Sequence, residues 1–271
     1  MKRPVGIISD FGNNLYLGIM KAVIKQVSDG VEIIDIDNSV PSFSRLAGSY
    51  IIYTSYRYMP KGSVILAVVD PGVGSDRKAI VVETKNYKFV CPDNGIVYEA
   101  ALEDGVSNIY NIDVTKLRTY LAKRYDVFGK HDISSTFHGR DVFAPVAALL
   151  AGGYDIDAFA KPISFYEIER VRIKDFTRGA RGELRLKVIY IDKFGNVVLS
   201  SRFEDLGLSL GDKVLVAGRE IGVREKFSDV ERGAFILYKN SFGFAEIAQN
   251  MGNASKSLGL EIGKYVDLLK G

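Results

Sequence analysis

An aspartate and an arginine stand seven residues apart around a loop that contains two glycines. Asp70 ends an apolar run, and Arg77 returns after Gly72 and Gly74, which permit the backbone geometry of a tight turn. A carboxylate and a guanidinium at such a place can accept a proton and stabilise developing charge. The same residues also fit a structural brace within the loop. The loop lacks the Gly-Lys-Ser/Thr ending of a phosphate-binding Walker A motif.

Two further polar positions could belong to the same site. Asp10 follows the first apolar run, where a carboxylate can accept hydrogen bonds from a ribose diol or cap a turn. The spacing G-x-G-x-x-G of dinucleotide-binding proteins does not follow it. His138 stands at a predicted helix start, although a lone histidine is often a surface or packed residue. The other histidine, His131, lies between Lys130 and Asp132 and is expected to be solvated.

The second half of the chain has one comparable segment. Asp192, Phe194 and Asn196 form a strand-turn with an acid, an aromatic ring and an amide. These side chains could pair with an ammonium group, stack on a base and hydrogen-bond a base edge. An ordinary hairpin turn explains the same residues equally well.

The elements that must position these residues alternate through the first half of the chain. Apolar runs predict strands, and helical spacing predicts helices between them. Uninterrupted Val/Ile runs suit strands covered on both faces, hence an α/β fold with a mainly parallel sheet sandwiched by helices. Ligands bind at the carboxyl ends of such strands. The strands are predicted at residues 5–8, 31–36, 63–69 and 79–83, and the helices at 17–27, 44–58 and 141–151.

After about residue 170 the pattern changes to short strands separated by Gly, Asp and Asn turns. This density indicates a compact antiparallel barrel or sandwich. We therefore expect an N-terminal α/β domain over residues 1–170, a linker at 171–182 and a C-terminal domain over 183–271. The short strands are predicted at residues 183–192, 196–200, 213–217 and 234–239.

Bulk composition excludes several classes of protein. The net charge of +3 comes from 36 basic and 33 acidic residues that are scattered, so a nucleic-acid partner is not indicated. Cys91 is the only cysteine, so no internal disulfide can form, and its strand-like surroundings favour a packed thiol. No apolar run approaches the roughly 20 residues that a membrane span needs. A cytoplasmic protein with a small-molecule ligand is expected.

These segments, taken in order, resemble one family over essentially the whole chain: the S-adenosyl-L-methionine hydroxide adenosyltransferases, relatives of fluorinating and chlorinating enzymes that attack the same molecule. The motifs are specific as a set. They are Asp-Pro-Gly-Val-Gly at 70–74, Pro-Asp-Asn-Gly at 92–95, the stretch 135–145, and Phe-Gly-Asn at 194–196.

The resemblance implies an N-terminal α/β domain, a C-terminal β-barrel and a homotrimer whose active sites lie between neighbouring subunits. It also implies hydrolysis of S-adenosyl-L-methionine to adenosine and L-methionine. Displacement of a neutral thioether needs neither a metal nor a redox cofactor, and the sequence has no cluster of metal ligands, so neither is expected. Asp70, Arg77 and His138 match the trio that activates water in that family. The resemblance further implies the following substrate contacts: Asp10 to the ribose hydroxyls, Phe43 beside the ribose, Phe194 and Phe227 on adenine, Asn196 hydrogen-bonded to adenine, Asp192 to the methionine ammonium and Ser241 to its carboxylate.

Two alternatives stay open on the same scaffold. Halide-transferring relatives tend to carry an aromatic residue at the position of Asp70, the fluorinating ones a serine at that of Gly139, and some have arginine in place of Phe242; this chain has none of these. A non-catalytic sensor would keep Asp10 and Asn196 without needing the trio to converge. An unrelated nucleotide phosphohydrolase lacks a phosphate loop or metal cluster.

This chain departs from the family pattern at two places. The loop with Asn13 and Asn14 is one residue shorter than in relatives and has no aspartate there, and Ser200 replaces a common amide. Both bear on the methionine end of the site.

Overall fold

A computed structural model describes residues 2–129, 132–180 and 182–271, so His131 lies outside the described residues. The chain divides into two compact units, one reaching to Val171 and the other beginning at Arg172.

The first unit is built on a seven-stranded sheet. Its strand order is β2-β1-β3-β5-β4-β6-β7. The neighbours among β2, β1, β3 and β5 are parallel, whereas β4, β6 and β7 join antiparallel. The predicted α/β class is confirmed, and the parallel half is the half that carries the candidate site. The strands are β1 (Val5–Ser9), β2 (Ile33–Asp37), β3 (Val64–Val68), β4 (Ala79–Thr84), β5 (Lys88–Pro92), β6 (Val106–Ile112) and β7 (Ala160–Pro162).

Helices cover this sheet. Asn14 caps the first helix by accepting a hydrogen bond from the Tyr16 N–H, and Met20 and Ile24 on its apolar face are fully buried. The sixth helix is apolar and buried all round, as expected of a helix in a core. The helices are α1 (Leu15–Val27), α2 (Arg45–Ser55), α3 (Tyr98–Asp104), α4 (Val114–Ala122), α5 (Asp126–Gly129) and α6 (Ala144–Ala151), the last preceded by a π-helix (Gly139–Phe143).

The second unit is a closed barrel of seven strands in the ring order β9-β10-β14-β13-β12-β11-β15, closed by pairing of β9 with β10. Strand β8 adds to β9 from outside the ring and falls within residues 171–182. The barrel is antiparallel, as predicted, except for the parallel pair β12–β13. Its elements are β8 (Phe176–Arg178), β9 (Leu184–Ile191), β10 (Val197–Arg202), β11 (Lys213–Val216), β12 (Arg219–Val223), β13 (Phe235–Lys239), β14 (Phe244–Gln249), α7 (Ala254–Leu258) and β15 (Tyr265–Lys270).

The parallel pairing of β1 with β3 decides where the polar residues meet. Ser9 is in register with Val68, so Asp10 and Asp70 leave the same edge of the sheet. All five residues of β3 are buried, which fits a strand covered on both faces. Among the described residues, no helix has the length and apolar character to cross a membrane.

Candidate active site

Asp70, Arg77 and His138 converge at the carboxyl edge of the parallel strands. Arg77 donates from Nε to Asp70 Oδ1 at 2.9 Å and from Nη2 to Asp70 Oδ2, so the pair is bidentate. The same Nη2 lies 2.9 Å from His138 Nδ1. The side chains of Arg77 and Asp70 are only 10% and 7% exposed, and the guanidinium lies over the Phe143 ring at 5.1 Å. The structure therefore brings His138 to Arg77, from which it is 61 positions away in the sequence.

Local backbone geometry explains how the loop reaches this arrangement. The Val73 N–H donates to the Asp70 carbonyl at 3.2 Å, which starts a tight turn directly after the strand. Gly74 has a φ of +79°, and a Cβ there would collide with the carbonyl of Ser135. Only glycine fits this position, because it combines left-handed backbone with close approach to another main chain. The contact joins the loop to the segment that leads into His138.

A π-helix begins at the candidate site. The sequence predicts a helix from about residue 141, and the structure shows the π-helix followed directly by α6. His138 is its N-terminal flanking residue. A Cβ on Gly139 would lie 3.0 Å from the Met20 sulfur and 3.2 Å from the Phe137 ring, so the first position of this helix packs tightly. Single π-helical turns are frequent at functional sites.

The contact with Arg77 determines which ring nitrogen of His138 carries the proton. A guanidinium has donors and no acceptor, so Nδ1 must accept the hydrogen bond and the neutral ring carries its proton on Nε2. Burial lowers the pKa of His138 below 6.5, and the positive charge of Arg77 lowers it further, against smaller opposing effects of Asp70 and Asp141. His138 is therefore a neutral Nε2–H donor at pH 7.

Asp10 and Phe43 form a second feature at the same edge. The Phe43 N–H donates to Asp10 Oδ2 at 2.9 Å, and Phe43 has a φ of +64°, a left-handed conformation that is strained for an aromatic residue. Its side chain is 71% exposed. Burial raises the pKa of Asp10, and the nearby Asp70 carboxylate adds to this effect, while the Phe43 N–H opposes it.

In the second unit, Asp192 holds the turn that carries Phe194 and Asn196. Asp192 Oδ1 accepts hydrogen bonds from the backbone N–H groups of Phe194 and Asn196, both at 2.9 Å. The Asn196 side-chain amide donates to Asp192 Oδ2 at 2.9 Å. This is the hairpin-turn arrangement, and it presents the Phe194 ring 63% exposed.

Phe227 and Ser241 lie at other places on the same barrel. The Phe227 ring packs edge-on against Tyr238 with centroids 5.3 Å apart. Ser241 is exposed in the turn between β13 and β14. That turn is held by Asn240, whose side-chain oxygen accepts from the backbone N–H groups of Phe242 and Phe244 at 3.0 Å.

Sequence reasoning did not single out Glu246, a buried carboxylate that links these positions. It accepts hydrogen bonds from the Tyr238 hydroxyl and, at 2.8 Å, from the Asn240 amide. Burial raises the pKa of Glu246, and the negative charge of Asp192 contributes to the increase. The only sequence signal was a charged residue inside an otherwise apolar strand, which is uncommon unless the charge is paired or functional.

Two other predictions concerned the thiol of Cys91 and metal binding. Cys91 is free and fully buried on β5, and burial raises the pKa of its thiol, so the predicted packed thiol is confirmed. Within residues 2–129, 132–180 and 182–271, no three His, Cys, Asp or Glu side chains are grouped so that they could hold a metal ion.

The protein has two units. The first is an α/β unit whose strand edge carries a buried carboxylate and guanidinium beside a partly buried imidazole, and the second is a closed β-barrel. Residues 5–160 match the SAM hydroxide adenosyltransferase N-terminal domain, and residues 186–267 match the corresponding C-terminal domain. The chain belongs to the SAM hydroxide adenosyltransferase family, as its motifs predicted.

Individual relatives agree with this assignment. The (R)-S-adenosyl-L-methionine hydrolase of Thermus thermophilus is 35% identical over 98% of this chain and 100% of its own length. A crystal structure of an uncharacterized conserved protein from Thermotoga maritima superimposes with a TM-score of 0.82 at 34% identity, covering 97% of this chain and 99% of that one. A fluorinase from Actinopolyspora mzabensis is more distant, at 23% identity over 97% of this chain and 96% of its own.

Proposed function

We propose that this chain hydrolyses S-adenosyl-L-methionine to adenosine and L-methionine. The observation that carries the proposal is the convergence of the buried Asp70 and Arg77 side chains with the partly buried His138. A sensor of the nucleoside would have no need for this convergence. Membership of the family and the similarity to a named hydrolase support the same reaction.

The reaction is an in-line displacement. The oxygen of one water molecule forms a bond to C5′ of the ribose while the C5′–S bond breaks, and the electron pair of that bond neutralises the sulfonium as a thioether. The water loses a proton, giving the 5′-hydroxyl of adenosine. Opposite charges approach and cancel in this transition state, so a dry site with preorganised charges and dipoles favours it. Neither a metal nor a redox cofactor takes part.

In this proposal each member of the trio has a separate role. Asp70 accepts the proton, because each carboxylate oxygen keeps a lone pair beyond the one that Arg77 occupies. His138 is an Nε2–H donor, so it binds one lone pair of the water and leaves the other aimed at C5′. Arg77 orients both partners and stabilises the negative charge that develops on oxygen.

The remaining residues bind the substrate. In this proposal Asp10 holds the ribose hydroxyls beside Phe43, while Phe194, Phe227 and Asn196 bind adenine. Asp192 meets the ammonium group of the methionine moiety, and Ser241 meets its carboxylate. The Asp192–Asn196 hydrogen bond preorganises two of these groups. The complete site forms between neighbouring copies in a homotrimer, and the reaction takes place in the cytoplasm.

Halide transfer is disfavoured by the carboxylate at position 70. An anionic nucleophile beside the Asp70 carboxylate would be repelled, whereas water can donate to it. The absence of an aromatic residue at position 70 agrees with this.

Incubation with S-adenosyl-L-methionine in heavy-oxygen water tests the proposal. The two sulfur epimers are supplied separately, because the name of the hydrolase relative specifies the R form. We expect label at the 5′-oxygen of adenosine, with one equivalent of free methionine. Unlabelled adenosine, a 5′-halogenated nucleoside formed with added chloride or fluoride, or binding without turnover would contradict hydrolysis.

A further inference from the structure

The motif at residues 92–95 has no part in the chemistry above, yet it contacts the loop that carries Asp70 and Arg77. Asn94 donates from Nδ2 to the carbonyl of Val69 at 2.8 Å. Val69 is the residue directly before Asp70. Asn94 therefore holds the loop at the point where it leaves β3.

The neighbouring residue holds the other end of the loop. The Asp93 N–H donates to the Lys78 carbonyl at 2.9 Å, and the Asp93 carboxylate lies 3.7 Å from Lys78 Nζ. Lys78 directly follows Arg77, whose Nη1 donates to the same carbonyl at 3.4 Å. Because consecutive Cα atoms are about 3.8 Å apart, Asp93 and Asn94 bring both ends of the loop together.

These two residues are themselves fixed within the first unit, and both are buried. The Asp93 carboxylate accepts from the Glu169 N–H at 2.9 Å. Asn94 Oδ1 accepts from the Ile96 N–H at 3.2 Å, and the Asn94 carbonyl accepts from Arg45 Nη1 at the same distance. Asp93 and Asn94 thus have partners on both sides, which makes them a rigid support for the loop.

We propose that Asp93 and Asn94 are positioning residues that set the separation between the Asp70 carboxylate and the Arg77 guanidinium, and through Arg77 the place of His138. Nη2 of Arg77 reaches both partners only if the ends of the loop keep their spacing. A misplacement of about 1 Å can reduce a rate on the order of 100-fold. The kinetic consequence rests on the proposed function, whereas the geometric consequence does not.

The first experiment replaces Asn94 by alanine, which removes the amide and adds no bulk. We expect kcat to fall roughly 10- to 100-fold as the trio loosens, while KM changes less than about 3-fold because Asn94 contacts no proposed substrate-binding residue. The second readout is the His138 titration, followed by NMR of imidazole-labelled protein. Burial and Arg77 hold this pKa below 6.5, and it should rise toward 6.5 as Arg77 withdraws. The chain has two histidines, so His131→Gln assigns the signals.

Asn86→Ala is the matched control. Asn86 lies in the turn between β4 and β5, at the opposite end of the same strands, and donates to Asp104 Oδ1 at 2.7 Å. Its loss should lower the melting temperature without moving kcat or the His138 pKa. Lys78→Ala provides a second test variant with a half-exposed side chain, in case Asn94→Ala fails to fold.

The outcomes separate the two proposals. The positioning role is supported if Asn94→Ala or Lys78→Ala lowers kcat and raises the His138 pKa, while Asn86→Ala changes neither. An unchanged His138 titration in the folded test variants, or an equal change in the control, overturns it. If the wild-type chain hydrolyses no S-adenosyl-L-methionine, the proposed function fails, and the titration alone still decides the role of Asp93 and Asn94.

Discussion

Replacing Asp70 by asparagine removes the negative charge and the proton acceptor while keeping the shape of the side chain. If Asp70 accepts the proton from water, its loss should lower kcat by about 10²- to 10⁴-fold, the usual contribution of a positioned general base. Adenosine affinity should change little, because Asp10 binds the ribose in this proposal. The variant therefore separates catalysis from binding.

The structure also sets the expected cost in stability. Asp70 and Arg77 are almost completely buried and share a bidentate ion pair. Removing one partner of a buried pair costs about 3–5 kcal/mol, because the other charge stays buried without compensation. The asparagine oxygen still accepts from Arg77, which recovers about 1 kcal/mol. We expect a loss of roughly 2–4 kcal/mol in the free energy of unfolding.

Adenosine release followed by chromatography gives kcat, calorimetry gives nucleoside affinity, and urea unfolding gives stability. Glu103→Gln is the control, since it breaks the exposed Arg57–Glu103 pair at 2.9 Å, away from the site. That control should keep full activity and nearly full stability, because exposed pairs contribute at most about 1 kcal/mol. A kcat for Asp70→Asn within tenfold of wild type would leave Asp70 as a structural brace and refute the reasoning.

Three further outcomes follow from the same geometry. Arg77→Lys cannot bind Asp70 at two points and His138 as well, so kcat should fall roughly 10- to 100-fold, from loss of charged hydrogen bonds of about 1.5–3 kcal/mol; unchanged steady-state kinetics would contradict this. The pKa of His138 is lower in the folded protein than in the unfolded chain, so the unfolded chain binds more protons as the pH falls through 6.5. The free energy of unfolding should therefore decrease over this pH range. Urea titrations of His138→Gln should lack this decrease. Gly74→Ala must push the Ser135 carbonyl away, so activity should fall at least tenfold, and a crystal structure of the variant with His138 still on Arg77 would argue against that explanation.

The edge where the site forms could be predicted from the sequence. Apolar runs that end in Asp10 and Asp70 predicted buried strands of a mainly parallel sheet, and parallel strands place their carboxyl ends at one edge. The structure shows that these two strands are neighbours. The Asp70–Arg77 pair lies within one short loop, so spacing alone made its contact plausible. The contact of His138 with Arg77 bridges 61 residues and follows from no local pattern. It was expected only through the resemblance to a family.

Several strands were not predicted, for identifiable reasons. β12 contains Gly222 and exposed charged residues, which are uncommon in strands. In β15 only two of the six residues are buried, so its apolar pattern is weak. Their pairing in the barrel supplies what local propensity lacks. The antiparallel half of the first sheet was also not predicted. A buried strand rich in Val and Ile has the same sequence pattern whether its neighbour runs parallel or antiparallel.

The backbone at Phe43 has a thermodynamic consequence of its own. Holding an aromatic residue in the left-handed region stores about 1–3 kcal/mol, and the hydrogen bond from its N–H to Asp10 is the restraint that opposes relaxation. Since the Asp10 carboxyl takes up its proton at a higher pH than an ordinary aspartate, mild acid weakens that restraint early. The strained conformation of the turn that presents the Phe43 ring therefore depends on the ionisation state of Asp10.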